Sequence, residues 1–399
     1  MDFEPFLKLI NRTYNMNTLD ILETLIAFDT VSSKSNLDLI AWVEKYLVAH
    51  NVNSTRVTNE TGDKASLYAI VGPADKPGYV LSGHTDVVPV AGQDWKTDPF
   101  QLHVEGGFAY GRGACDMKGF LACVLAAVPA MQNAKLETPL IIAFSYDEEV
   151  GCTGVRPLLS EMAQWPIQPL GCFVGEPTSM SVVVGHKEKL SKRVVVHGLT
   201  GHSALAPLAV NAAHYGARLV AFVSELAEKL KLQGCRDDLY DVAHSTAHVG
   251  RFVSGTQLNI VPAHAEFDFE FRTVAGDDIT ALFAEFESKA ADLEAEMRSV
   301  YPQASIEIRP YSEIPGLDTP IDSDVVTLAK HLAGKNSHAK VAFSTEAGLF
   351  QQMAGVSTVV CGPGSIEQAH KADEYIAVEQ LAACDHMLLD LVKHCSKER

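Results

Sequence analysis

Five short stretches of this chain set histidine or carboxylate side chains beside glycines or at the end of apolar runs. They read Gly83-His84-Thr85-Asp86, Ala114-Cys115-Asp116-Met117, Tyr146-Asp147-Glu148-Glu149, Gly175-Glu176-Pro177 and Glu367-Gln368-Ala369-His370. Singly, each has a plain structural use. A His-x-Asp serves as a capped turn, an aspartate ahead of an apolar helix serves as its N-cap, and adjacent acids form a solvated loop. Jointly they make a different case. The acids Asp147, Glu148 and Glu149 repel one another unless they are hydrated or share a cation. Two imidazoles with several carboxylates form a nitrogen and oxygen donor set suited to zinc, and also to cobalt or manganese. A pair of ions roughly 3.5–4 Å apart needs a bridging carboxylate, and one spare acid then remains as a general base. Asp86 stands two residues from His84, placed to hold the far ring nitrogen. Activating water for hydrolysis is chemistry such a set can perform, because a bound divalent ion brings the pKa of water down to about 7.

Such side chains must be carried by elements that converge. The runs 79–82, 139–145, 172–174 and 357–361 read as buried strands, and each leads into one of the motifs. In open α/β sheets, ligands collect at the carboxyl ends of strands. Apolar residues recur at helical spacing over 18–29 (Leu19, Leu22, Leu25, Ile26), over 37–47 and over 117–131. Strands alternating with helices predict a mixed, mostly parallel α/β sheet covered on both faces. From about Leu190 the texture changes. Strands are predicted at 191–196, 247–253, 265–273 and 305–309, with helices at 211–230 and 278–300. That β-α-β-β-α-β order is the split pattern of a small α+β domain. Phe267, Phe269 and Phe271 alternate with charged neighbours, so helices should cover one face only. Residues 1–187 and 312–399 are therefore expected to form one large α/β domain, interrupted by an inserted domain at 188–311.

Composition narrows the function further. With 399 residues and 47% hydrophobic content the chain can bury more than one core. A formal charge of −18, from 32 basic and 50 acidic residues, argues against nucleic acid or an anionic membrane as partner. None of the 8 cysteines forms a CxxC pair, which argues against a zinc ribbon, a thioredoxin motif or a disulfide scaffold. Reduced, buried thiols are expected instead. Residues 1–16 lack a basic start followed by an apolar run, and no stretch reaches about 18 apolar residues, so a cytoplasmic protein is expected. Met16 reads as a second start, with residues 1–15 peripheral.

The motifs SGHTDVVP, GRGACDMKGF, YDEEVG, VGEPT, TGHSA and EQAHKADE resemble the dinuclear aminoacylase/carboxypeptidase (M20-type) family of metallohydrolases, over roughly residues 19–392. The resemblance implies a metallopeptidase-like catalytic domain, an inserted lid or dimerisation domain, and two divalent ions per chain, zinc first with cobalt or manganese as alternatives. It implies that Asp116 bridges the ions, with His84 and Glu176 on one and Glu149 and His370 on the other. Glu148 then matches the general base and Asp86 the partner of His84. In the insert, His202 matches an oxyanion-stabilising residue that reaches the other subunit's site in a homodimer, and Asn259 and Arg272 match residues gripping the substrate carboxylate. Segments 343–348 and 114–118 most resemble the branch that cleaves N2-acetyl-L-ornithine to L-ornithine and acetate in arginine biosynthesis. A related N-acyl amino acid deacylase, a desuccinylase or a peptidase is the alternative within the family. A non-catalytic metal- or amino-acid-binding protein is the alternative outside it, against which Glu148 argues, since a binder has no use for a base. An ornithine side chain must lose hydration unless an anion meets it, and Glu346 is expected to be that anion. A structural ion pair is the competing reading for Glu346 and for Arg272.

Overall fold

The computed structural model describes residues 16–397, so the segment 1–15 expected to be peripheral lies outside the described residues. The chain divides into two compact units. Among the described residues the first comprises 16–185, 317–340 and 345–397, the second His186–Gly316 and Val341–Ser344.

The first unit is built on a mixed sheet whose centre is four parallel strands, Leu140–Ser145, Tyr79–His84, Gly171–Pro177 and Thr358–Gly362. The first three of them are buried at every position, as runs without polar alternation must be when helices cover both faces. Antiparallel strands flank this centre: Ala65–Val71 and then Ser54–Thr58 on one side, Val183–His186 on the other. The parallel register sets His84 beside Ser145, so the chain leaves both strands at one edge of the sheet. At Gly175 a side-chain carbon would fall 2.0 Å from the Phe120 ring, and only glycine allows the helix Lys118–Asn133 to lie so close beneath the end of that strand. That helix is buried on nearly every face. The helix Thr18–Ile26 starts from a capping box in which Asn17 and Asp20 satisfy each other's backbone amides. The short strands Leu317–Asp318 and Ala339–Val341 both pair with Val183–His186, and a separate three-stranded sheet is formed by His103–Glu105, Phe108–Tyr110 and Tyr375–Ala377, members too short for sequence periodicity to reveal.

The second unit has a four-stranded antiparallel sheet in the order Thr246–Ser254, His264–Thr273, Glu188–His197, Ser305–Ile314. Its helices are Ala212–Gln233 and Ile279–Val300, so its chain order is β-α-β-β-α-β. Ala265, Phe267, Phe269 and Phe271 point into a core shared with Phe286, Leu293 and Leu219. Each fully buried phenylalanine contributes about 1.5–3 kcal/mol. The opposite face carries Arg193, whose guanidinium donates to both oxygens of Asp268 at 2.7 and 2.9 Å. No helix among the described residues is long and apolar enough to cross a membrane. Among the cysteines, all but Cys235 are buried and none is paired.

Candidate metal centre

His84 is the last residue of its strand, Glu176 the last but one of Gly171–Pro177, and Glu148 and Glu149 lie just past Leu140–Ser145. Asp116 comes from the turn ahead of the helix Lys118–Asn133, and His370 from the loop after Thr358–Gly362. These six side chains meet at one edge of the first unit. The Asp116 carboxylate spans the cluster: Oδ1 lies 3.1 Å from His84 Nε2 and Oδ2 lies 3.2 Å from His370 Nε2. His84 Nε2 is also 3.7 Å from Glu176 Oε1, and His370 Nε2 is 3.0 Å from Glu149 Oε2. His84, Asp116 and Glu149 bring ligand atoms within 4.8 Å of one another, and so do His84, Glu148 and Glu176.

Two observations test whether this set fits divalent cations. Nitrogen and oxygen ligands held at about 2.0–2.1 Å in a tetrahedron stand roughly 3.3 Å from one another, which is the spacing found here. In addition, Oε1 of Glu149 and Oε1 of Glu176 are buried without a hydrogen-bond partner. Leaving a carboxylate oxygen so is costly unless a cation meets it. The residues fit the group.

The surroundings hold the ligands in place. His84 Nδ1 donates to the carbonyl oxygen of Asp86 at 2.9 Å, while the Asp86 carboxylate stands 3.5 Å away. The expected carboxylate contact is thus second to a main-chain one. The reason is that the carboxylate is already engaged, accepting from Ser32 Oγ at 2.7 Å and from the amides of Glu148 and Glu149 at 3.1 and 3.4 Å. Asp86 thereby fixes the turn that carries both glutamates. Asp147 and His370 adopt left-handed backbone with φ of +54° and +63°, strain that loops keep where side chains must be aimed. Lys64 pairs with Asp147 at 2.5 Å to secure the first of these turns.

Proton affinities follow from the crowding. Burial alone would lower the pKa of His84, but Asp116, Asp86 and Glu176 push it well above its usual 6.5. The hydrogen bonds that the His370 ring donates to Asp116 and Glu149 raise its pKa to about 10. Burial, reinforced by the other carboxylates, raises Glu148 to about 8, Glu149 to about 7, and Glu176 well above the usual range. Asp116 goes the other way: burial is outweighed by the two imidazoles, which hold it well below 3.8. A metal-free folded chain therefore keeps protons that an unfolded chain releases between about pH 4.5 and 10. The sign is the same for the raised glutamates and the raised histidines, so stability falls as pH rises through that window, and Asp116 opposes it only below pH 3.8. Chelated protein should melt at a higher temperature at pH 6 than at pH 8.5, and added zinc should shrink or invert the difference by replacing those protons. Differential scanning calorimetry reads this directly, and a chelated protein that gains stability from pH 6 to 8.5 would contradict it.

Not every anticipated site residue joins the cluster. Glu346 has no exposure; its oxygens accept from Ser82 Oγ at 2.6 Å and Ser145 Oγ at 2.7 Å. It is thus an interior acceptor for hydroxyls on two central strands. His202, Asn259 and Arg272 belong to the second unit. There His202 and Asn259 are exposed neighbours, joined by a bond from the Ser203 amide to the Asn259 carbonyl at 3.0 Å. Arg272 donates to Glu270 at 2.8 Å and more weakly to the carbonyl of Ala342 at 3.4 Å. Sequence reasoning missed Ser32, and it missed Glu374 although that residue ends the EQAHKADE motif.

The chain matches the model of peptidase family M20/M25/M40 over residues 80–394, and it belongs to that family. Its likeness to particular members runs nearly end to end. An acetylornithine deacetylase from Myxococcus xanthus is 32% identical over 381 residues, covering 94% of this chain and 96% of that protein. Among solved structures, an M20 family metallo-carboxypeptidase, Sso-CP2 from Sulfolobus solfataricus, superimposes with a TM-score of 0.76 at 19% identity, covering 95% of this chain and 99% of that one. A dinuclear metal binding peptidase of the M20 family from Bacillus subtilis gives 0.63 at 15% identity, covering 96% and 98%. The family resemblance carried by the motifs is thus borne out.

Proposed function

We propose that this metal-dependent amidohydrolase removes the acetyl group from N2-acetyl-L-ornithine, giving L-ornithine and acetate for arginine biosynthesis in the cytoplasm. The observation that carries the chemistry is Asp116, with one oxygen facing each histidine at 3.1 and 3.2 Å. The observation that favours this substrate is the near full-length likeness to an acetylornithine deacetylase. His84 and Glu176 would hold one ion and Glu149 and His370 the other, zinc being the first candidate. When bound, the pair supplies Lewis-acid polarisation and a more acidic water. Glu148, half-buried beside His84 and Glu176, takes the proton of the attacking water and returns it to the leaving nitrogen as the C–N bond breaks. Asp86 keeps the His84 ring and the Glu148 turn oriented. His202 and Asn259, exposed on the second unit, are the proposed donors to the oxyanion and the substrate carboxylate.

We also assign the second unit to lid and dimer contacts. Leu208 is 72% exposed, Leu258 fully exposed and Val253 50% exposed, apolar surface that a second copy would cover. Sedimentation equilibrium that returns a monomer at micromolar concentration would remove this assignment. The substrate is tested by a panel of acetylornithine, other N-acetyl amino acids, succinyl-diaminopimelate and dipeptides. Acetylornithine should lead by at least about tenfold in kcat/KM. A dipeptide in first place would make the protein a peptidase of the same family.

A further inference from the structure

One network outside the ligand set touches both Asp116 and His370. Glu374, four residues after His370, is 1% exposed. Its Oε1 accepts the amides of Cys115 at 2.9 Å and Asp116 at 3.0 Å, and its Oε2 accepts from Arg112 Nη1 at 2.6 Å. The other arm of the Arg112 guanidinium donates to Gln93 Oε1, and Gln93 Nε2 donates to the carbonyl of His370 at 2.9 Å. Trp95 completes the network: its indole donates to Gln93 at 3.1 Å and its ring lies 5.0 Å from the guanidinium carbon. The Arg112–Glu374 pair is desolvated, with both carboxylate oxygens and both terminal nitrogens of the guanidinium bonded while Nε has no hydrogen-bond partner, so the contacts that hold geometry are those of the two terminal arms.

The two histidines are held differently. His84 is wholly buried and its ring is tied to the Asp86 carbonyl. His370 has a half-exposed side chain in left-handed backbone, and among the described residues its ring meets only Asp116 and Glu149. What remains to fix His370 is its main chain, and Gln93 grips that. We propose that Glu374, Arg112 and Gln93 act as a positioning clamp that sets His370 against Asp116, and so governs affinity for the ion held by Glu149 and His370 rather than the one held by His84 and Glu176. This inference rests on the paired-ion reading above.

Gln93→Ala is the discriminating variant, because Gln93 is half-buried, lies outside the ligand set and leaves the Arg112–Glu374 pair intact. The full-length protein, stripped by a chelator, is titrated with Co(II) by calorimetry and by visible absorption. The parent should take up two ions. In Gln93→Ala the weaker step should lose about 10–100-fold in affinity and its absorption band should shift, while the tighter step changes less than about twofold. Gln93→Glu, which keeps the acceptor for Arg112 and removes the donor to His370, should behave like Gln93→Ala. The melting temperature of the metal-free variants should match the parent within a few degrees. Two unaltered steps, two steps weakened equally, or an affinity loss that tracks a fall in melting temperature would each overturn the clamp while leaving the paired ions standing. A parent that binds no second ion would overturn both.

Discussion

Glu148→Gln is expected to lower kcat by about 10²–10⁴-fold while the protein still takes up its full complement of metal. Glutamine keeps the shape of the side chain but cannot accept the water proton, so the loss falls on the chemical step and KM should change little. Glu149→Ala makes the complementary case. Its Oε2 faces His370 at 3.0 Å and its Oε1 is buried without a partner, so its removal should release an ion. Kinetics paired with metal analysis on both variants separate the roles. Metal lost from Glu148→Gln and retained in Glu149→Ala would mean that the two adjacent acids exchange assignments.

Removing metal from the parent should have an equally large effect. Lewis-acid stabilisation of several kcal/mol, with each 1.36 kcal/mol worth tenfold in rate, corresponds to more than about 10³-fold. Dialysis against a strong chelator should take activity to the background, and zinc or cobalt should restore it with a stoichiometry approaching two per chain. Full turnover by protein verified as metal-free would remove the hydrolytic reading altogether. Binding of two ions without turnover on any amide would favour the non-catalytic alternative.

Much of the centre could be read from the chain because its residues sit where buried runs stop. Tyr79 to Leu81 is apolar ahead of His84, and Cys172 to Val174 ahead of Glu176, so a two-part signal of strand and abrupt polar residue locates these two ligands. The inserted unit was legible for a related reason: Phe267, Phe269 and Phe271 alternate with charge, a period that only a half-covered sheet explains. Less was visible at the margins. The strand Ser54–Thr58 is polar except for Val57, and the strands around Phe108–Tyr110 are three residues long, so their pairing comes from tertiary contacts rather than local pattern. The Arg112–Glu374 pair joins residues 262 positions apart, and no local spacing announces it. The burial of Glu346 was not visible either, because a carboxylate in a polar segment gives no sign that two serine hydroxyls meet it inside.

The place of the strand Thr358–Gly362 has a consequence for the order in which the protein is made. It lies inside the sheet, between Gly171–Pro177 and Val183–His186, yet it is synthesised only after the whole second unit. Until the ribosome has passed it, the all-buried strand Gly171–Pro177 has an open edge, the kind of template that invites pairing with another chain. His84, Asp116, Glu149 and Glu176 are by then already outside the ribosome or nearly so, and His370 follows last. The nascent chain thus carries an incomplete donor set on an unfinished sheet, and closing the sheet and acquiring the last ligand are consecutive events of the same late stage of biogenesis.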